Sequence, residues 1–118
     1  SNICSNESLM ALFVTIYMSI MGKEGLKEAA QMSYDGAHYL HDELIATGKF
    51  EEKYNKPFFN EFCLTYKGDA DALQKHLIAK GIMGGIKVDA NTIMFAVTEK
   101  RTKEEVDNLV NIVKEETL

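Results

Sequence analysis

The sequence predicts an α+β fold, a strand-helix-strand-strand-helix unit behind two leading helices. Two observations predict it. Apolar residues change from a helical period of about 3.6 before Gly48 to an alternating period in Glu61 to Tyr66, and the five apolar residues Ile93 to Val97 form an unbroken run flanked by turn residues. At 118 residues the chain fits one domain, 1–118, divided into leading helices (1–48) and the sheet-bearing unit (49–118), with enough length to bury a real core.

Residues 9 to 21 are apolar nearly all the way round a helix, with Ser5 or Asn6 as N-cap and Gly22 as its stop. Thirteen residues interrupted by Thr15 and Ser19 fall short of the ~20 needed to span a bilayer, and no Lys or Arg precedes them as a signal peptide requires. No membrane partner is expected. A helix of this kind is buried on all faces, and one sheet covers only one side of it, so a further chain segment, a partner subunit or a second copy is expected to cover the rest.

Gly22 to Gly25 breaks the chain before a second helix to about Thr47, with Leu26, Ala30, Ala37, Leu40 and Leu44 as its apolar stripe and Gly48 as its end. Gly36 inside it marks a close helix crossing or a bend. Its polar side carries His38 and His41 beside Asp42 and Glu43. This spacing reaches a metal in principle, but a solvated helix face is the more economical reading, and no metal site is assigned.

Phe50 to Lys56 reads as a charged connection. The first strand follows Pro57, with Phe62, Leu64 and Tyr66 on one face. Asp69 or Asp71 starts a helix that turns Leu73, Leu77 and Ile78 inward and stops at Gly81. Ile82 to Val88 is the second strand, with Gly84-Gly85 as a bulge or a close backbone approach, and Asp89 to Asn91 reverses the chain. Ile93 to Val97 is the third strand, central and covered on both faces. Thr102-Lys-Glu-Glu105 is a capping box opening a helix with Val106, Leu109, Val110 and Val113 on one face. The crossover rule makes the first two strands parallel and slots the third between them, antiparallel to both, in a three-stranded sheet.

Chemistry is sparse. A net charge of −5 without a basic stripe argues against nucleic acid. Cys4 and Cys63 form no metal or redox motif and read as reduced thiols of a cytoplasmic protein. The glycines at 81, 84 and 85 lie between a helix and a strand, the wrong order for a phosphate-cradling loop. There is no nucleophile elbow. Arg101, the only arginine, is the one candidate contact for a substrate carboxylate or a domain interface, with Glu99 and Lys100 beside it at the strand's carboxyl end. An ion pair with Glu99, Glu104 or Glu105 is the plainer role for it.

Four blocks carry a resemblance: Ser1-Asn-Ile-Cys4, Lys56-Pro-Phe-Phe-Asn-Glu-Phe62, Gly81-Ile-Met-Gly-Gly85 and Val97-Thr-Glu-Lys-Arg-Thr102. In this order the chain resembles the carboxyl-terminal part of subunit 1 of the glycine cleavage system P-protein family, the glycine dehydrogenases (decarboxylating). Ser5 departs from the threonine expected there. The resemblance implies the small carboxyl-terminal domain of an aspartate-aminotransferase-like, fold type I pyridoxal-phosphate enzyme, as a fragment of a longer chain. It implies glycine decarboxylation with aminomethyl transfer to the lipoyl H-protein by the complete enzyme, whose partners are the rest of subunit 1 and subunit 2. The Schiff-base lysine is expected in subunit 2, so no catalytic or cofactor-binding residue is carried over to this chain, and the fragment alone is expected to be inactive. The alternative is a free-standing α+β regulatory or amino-acid-binding module, which would begin at its own methionine and would not bare an apolar helix.

Overall fold

The structure, a computed structural model, describes residues 5–118. Three helices and four strands follow one another: α1 (Ser5–Ala46), β1 (Phe50–Glu52), β2 (Glu61–Tyr66), α2 (Ala70–Ala79), β3 (Ile86–Lys87), β4 (Thr92–Ala96) and α3 (Lys103–Glu115). The block Ser1 to Cys4 lies outside the described residues.

The two leading helices form one helical run, α1, broken at Gly22 (φ 66°, ψ 179°). By length and composition this run is apolar enough to cross a membrane. The break and the charges of Lys23 and Glu24 nevertheless end its apolar stretch at thirteen residues, below the ~20 of a bilayer span. The second half carries the packing face, since Ser33, Ala37, Leu40 and Leu44 are the buried residues of α1. Leu26 and Ala30 of the expected stripe remain exposed. Gly36 marks a close approach to the sheet rather than a helix crossing, because a Cβ there would stand 3.0 Å from Val97 Cγ1.

The sheet has four antiparallel-paired strands in the order β1-β2-β4-β3, not three. The extra strand is Phe50–Glu52, expected as a loop because two of its three residues are glutamates. It pairs Phe50 with Tyr66 and Glu52 with Leu64, and Phe50 is buried while both glutamates face solvent. Between the expected neighbours the register is as the crossover argument requires: β4 is antiparallel to both β2 and β3. β3 shrinks from the expected Ile82–Val88 to Ile86–Lys87. Gly81 and Gly85 hold positive φ and bend the backbone out of the extended form before Ile86.

All helical cover lies on one face. Phe50, Phe62, Leu64, Tyr66, Ile93 and Phe95 meet Leu40 and Leu44 of α1, Leu73 and Leu77 of α2, and the Val106, Leu109, Val110 and Val113 face of α3. Ile78 points outward instead, 63% exposed. Asp69 caps α2 by accepting from the N–H groups of Asp71 and Ala72, and Thr102 and Glu105 close the reciprocal capping box of α3. Tyr39 Oη donates to Asp107 Oδ1 at 2.6 Å and ties α1 to α3.

Two surfaces stay bare. On the opposite face of the sheet, where Cys63 pairs with Met94 and Met94 with Ile86, no helix packs among the described residues. Met94 is half-buried and Ala96 exposed, so the expectation that β4 is covered on both sides fails among the described residues. The first half of α1 is barer still. Leu9, Leu12, Phe13, Ile16 and Ile20 are all at least half exposed, and the sheet covers none of that helix, where cover on one side was expected.

Candidate functional site

A cleft of about 540 Å³ lies between the Gly81–Gly85 loop, the end of β4 and the start of α3. Its floor is aliphatic and aromatic, from Leu40, Phe95, Val97, Val106 and Leu109, and its polar rim is Lys80, Arg101, Glu105 and Asn108. The loop is fixed by what surrounds it. A Cβ on Gly84 would stand 2.5 Å from Leu77 Cδ1, and one on Gly85 would stand 2.6 Å from Ile93 Cγ2 and 2.8 Å from the Met94 carbonyl oxygen. The expected close backbone approach is therefore what both glycines serve. Gln74 Nε2 donates to the Gly85 carbonyl at 3.0 Å and braces the loop from α2. Met83 at its tip is 91% exposed.

Arg101 reaches this cleft, but its guanidinium is engaged: Nη1 donates to Glu105 Oε1 at 3.2 Å, one helical turn away. The other oxygen of Glu105 accepts the Thr102 N–H at 2.8 Å. One carboxylate thus serves both the cap of α3 and the arginine. Lys100 is exposed, its N–H near the Thr98 hydroxyl at 3.4 Å, and Glu99 is half-buried. Of the three candidates, only Arg101 lines the cleft.

A second hollow of about 440 Å³ gathers His41, Glu52, Phe58, Phe62, Cys63 and Met94 at the β2 edge. Here the solvated helix face expected for His38 and His41 is half covered. The His38 ring lies between Tyr34 and Phe58, at centroid distances of 3.9 and 4.1 Å. Both ring nitrogens of His41 meet carboxylates, Nδ1 with Asp42 at 2.9 Å and Nε2 with Glu52 at 2.8 Å. The sequence hid this because Glu52 belongs to the unexpected β1. The ligands for a metal are not assembled: among the described residues no three His, Cys, Asp or Glu side chains converge on one point. Cys63 carries a free thiol.

Elsewhere the charges brace turns. Asp89 accepts from the Asn91 N–H at 3.1 Å and the Thr92 N–H at 2.8 Å, and pairs with Lys53 at 3.2 Å. Thr92, then the Asn91 amide and Lys53, hold its carboxyl down at about 2. Lys103 is pushed well above the usual lysine range by Asp107 and Tyr39. Burial, with Glu116 and Asp69 nearby, raises the Tyr66 phenol.

The one lysine lining the cleft, Lys80, is exposed on its rim, and a Cβ would strike Leu77 from Gly84 and Ile93 and Met94 from Gly85, whereas one on Gly81 would meet nothing within 4 Å. Fold and clefts define an α+β unit with helices on one sheet face and apolar surface exposed on the first half of α1.

The glycine cleavage system P-protein family model matches residues 1–113, and the chain belongs to that family. It is 45% identical, over 96% of its length, to the probable glycine dehydrogenase (decarboxylating) subunit 1 of Carboxydothermus hydrogenoformans. The corresponding protein of Chloroherpeton thalassium is 42% identical over 98% of the chain. The chain spans only 26% and 27% of these two relatives. Among solved structures it is similar to a glycine decarboxylase (P-protein) of the glycine cleavage system in inhibitor-bound form, with a TM-score of 0.86 and 36% identity over 98% of this chain and 27% of that one. A NifS-like protein, 22% identical over 78% of the chain and 29% of its own, shares the fold with a TM-score of 0.63.

Proposed function

We propose that this chain is the small carboxyl-terminal domain, with its lead-in helix, of a glycine-decarboxylating P-protein subunit 1, and that it supports rather than performs the reaction. The aspartate-aminotransferase-like architecture of fold type I enzymes is part of the reading. The observation that carries it is the first half of α1. Its large side chains are bare on every side, and the Thr15 and Ser19 hydroxyls are turned back onto their own helix. Thr15 Oγ1 donates to the Ala11 carbonyl at 2.8 Å, and Ser19 Oγ to the Thr15 carbonyl at 2.7 Å. A helix whose polar side chains are satisfied internally is ready for burial in an apolar setting. Relatives about four times as long supply the body that buries it.

In this reading pyridoxal phosphate is bound by subunit 2, where it supplies the electron sink for glycine decarboxylation. The complete enzyme hands the aminomethyl group to the lipoyl H-protein. This chain's part is mechanical: the braced Gly81–Gly85 loop and the Arg101–Glu105 pair keep one wall of a cleft in shape, and Arg101 keeps a minor claim on a substrate carboxylate. An isolated fragment would associate with itself through residues 9–21. The experiment is a glycine decarboxylation assay with the chain alone, subunit 2 alone and the two complete subunits together. Activity is expected only from the complete pair, and turnover by the isolated chain would overturn the reading.

A further inference from the structure

We propose that His41 is a pH-dependent latch that holds the edge strand β1 to α1, closed while its imidazole carries a proton on both nitrogens and loosened when the ring is neutral. Both sides of the latch belong to this chain, and the contacts that close it are already made.

The ring has a carboxylate at each end. Nδ1 lies 2.9 Å from Asp42 Oδ1 on the same helix, and Nε2 lies 2.8 Å from Glu52 Oε1 on β1. An ionised carboxylate only accepts, and a neutral imidazole donates from one nitrogen only, so the imidazolium alone makes both bonds at once. A neutral ring leaves one carboxylate against a lone pair, and the bond that survives loses its charge assistance. Packing fixes the ring where the carboxylates reach it. Phe62 meets it edge to face and Phe58 lies tilted to it, each at a centroid distance of 5.3 Å. The His41 side chain is 13% exposed, whereas Glu52 is 49% exposed and approaches from the solvent side.

Each element around the ring brings its own charges. On α1, Asp42 follows it and His38 precedes it by one turn, with His38 Nε2 turned to the Phe58 carbonyl oxygen at 3.2 Å. β1 brings Glu52, the loop after it Tyr54 and Lys56, and β2 brings Glu61 and Cys63. Lys53, next to Glu52 in the chain, is paired with Asp89 instead. Glu52 is therefore left to the histidine.

β1 is the strand for which one such bond counts. It has three residues, stands at the end of the sheet order with β2 as its neighbour, and buries a single side chain, Phe50. Few buried contacts make a segment open locally at low cost. Histidine is also the side chain whose ordinary titration falls between pH 5 and 8, so a bond that needs its charged form is made or lost in that range. The charged ring makes two bonds and the neutral ring one, so the hold on β1 weakens as pH rises.

The test is amide hydrogen exchange of residues 50–56 in the complete two-subunit enzyme, from about pH 5.5 to about pH 8.5, on either side of the ordinary histidine value of ~6.5. Rates are corrected for the intrinsic pH dependence of exchange, and wild type is compared with His41→Gln and Glu52→Gln. Wild-type protection is expected to fall about fivefold across this range, the size of one lost hydrogen bond. His41→Gln keeps a donor that does not titrate, and Glu52→Gln keeps a side chain that pairs with either form of the ring. Both are expected to show protection that pH leaves unchanged, with His38, Glu61 and Cys63 still in place. Wild-type protection that does not respond to pH overturns the latch. An undiminished fall in His41→Gln assigns the response to another group and overturns it as well, and the same fall in Glu52→Gln overturns the tie to β1. Should His41→Gln fail to fold, the half-exposed Glu52→Gln decides.

Discussion

The Nζ of Lys49 lies 2.9 Å from the carbonyl oxygen of Val113, so the residue just before β1 caps the end of α3. The same ammonium donates to the Lys114 carbonyl at 2.8 Å and to that of Glu116. Carbonyls of a last helical turn lack partners within their own helix, and a cation there also complements the helix dipole. Lys49→Met keeps the aliphatic stem but removes the charged donor, leaving the Val113 carbonyl with the Glu116 N–H at 3.2 Å. It is expected to lower stability by about 1–2 kcal/mol, since hydrogen bonds to charged groups carry roughly that much. Urea denaturation with an unchanged slope and a lower midpoint is the expected readout.

Gly85 is the least replaceable glycine of the cleft. It combines φ 85° with a Cβ position 2.6 Å from Ile93 Cγ2. Backbone strain and overpacking each cost about 1–3 kcal/mol, so Gly85→Ala is expected to destabilise by at least about 2 kcal/mol and to shift the β3–β4 pairing. Thermal denaturation of the variant checks the first, and amide exchange at Ile93 and Met94 the second.

Acid should loosen the β3–β4 reversal. Asp89 sits at about 2 in the fold, below its unfolded value near 3.8. A depressed carboxyl contributes stability that is present above the unfolded value and is lost as pH falls from about 4 through 2. Asp89→Asn is therefore expected to flatten the acid limb of the stability curve in that window and leave its shape near pH 7 unchanged. A wild-type and variant pair of denaturation series from pH 2 to 7 measures it.

Arg101→Ala in the complete enzyme is expected to lower kcat/KM only a few-fold, because an exposed ion pair such as Arg101–Glu105 contributes about 0–1 kcal/mol. Glu105→Gln should give a comparable loss through the same wall of the cleft. A large rise in KM for glycine, confined to Arg101→Ala with kcat unchanged, would instead assign the guanidinium to the substrate carboxylate.

Much of the sheet was legible because its buried face alternates cleanly: Phe62, Leu64 and Tyr66 on β2 and the α3 face at Val106, Leu109, Val110 and Val113 are buried as the periods require. The caps at Asp69 and Thr102 were readable for the same local reason. β1 was not, because one buried residue, Phe50, followed by two glutamates carries no period. The exposure of Ile78 was equally hidden, since a helix with three candidate inward residues does not say which two the core has room for. Uniform hydrophobicity misled in Ile93 to Val97. An apolar residue such as Ala96 reads as buried even where no described residue covers it. At the cleft, sequence singled out Arg101 and the glycines but not their meeting, which depends on how α2 sets the Gly81–Gly85 loop against β4 and α3.

The central claim is that the bare helix is an internal element of a larger protein. Hydrogen exchange of residues 9–21 tests it most directly, measured in the complete two-subunit enzyme and in the chain of residues 1–118 at low concentration. The account predicts that these amides exchange slowly in the complete enzyme and at least about a hundredfold faster in the isolated chain, the ratio expected for roughly 3 kcal/mol of added burial. Equally fast exchange in both would contradict it.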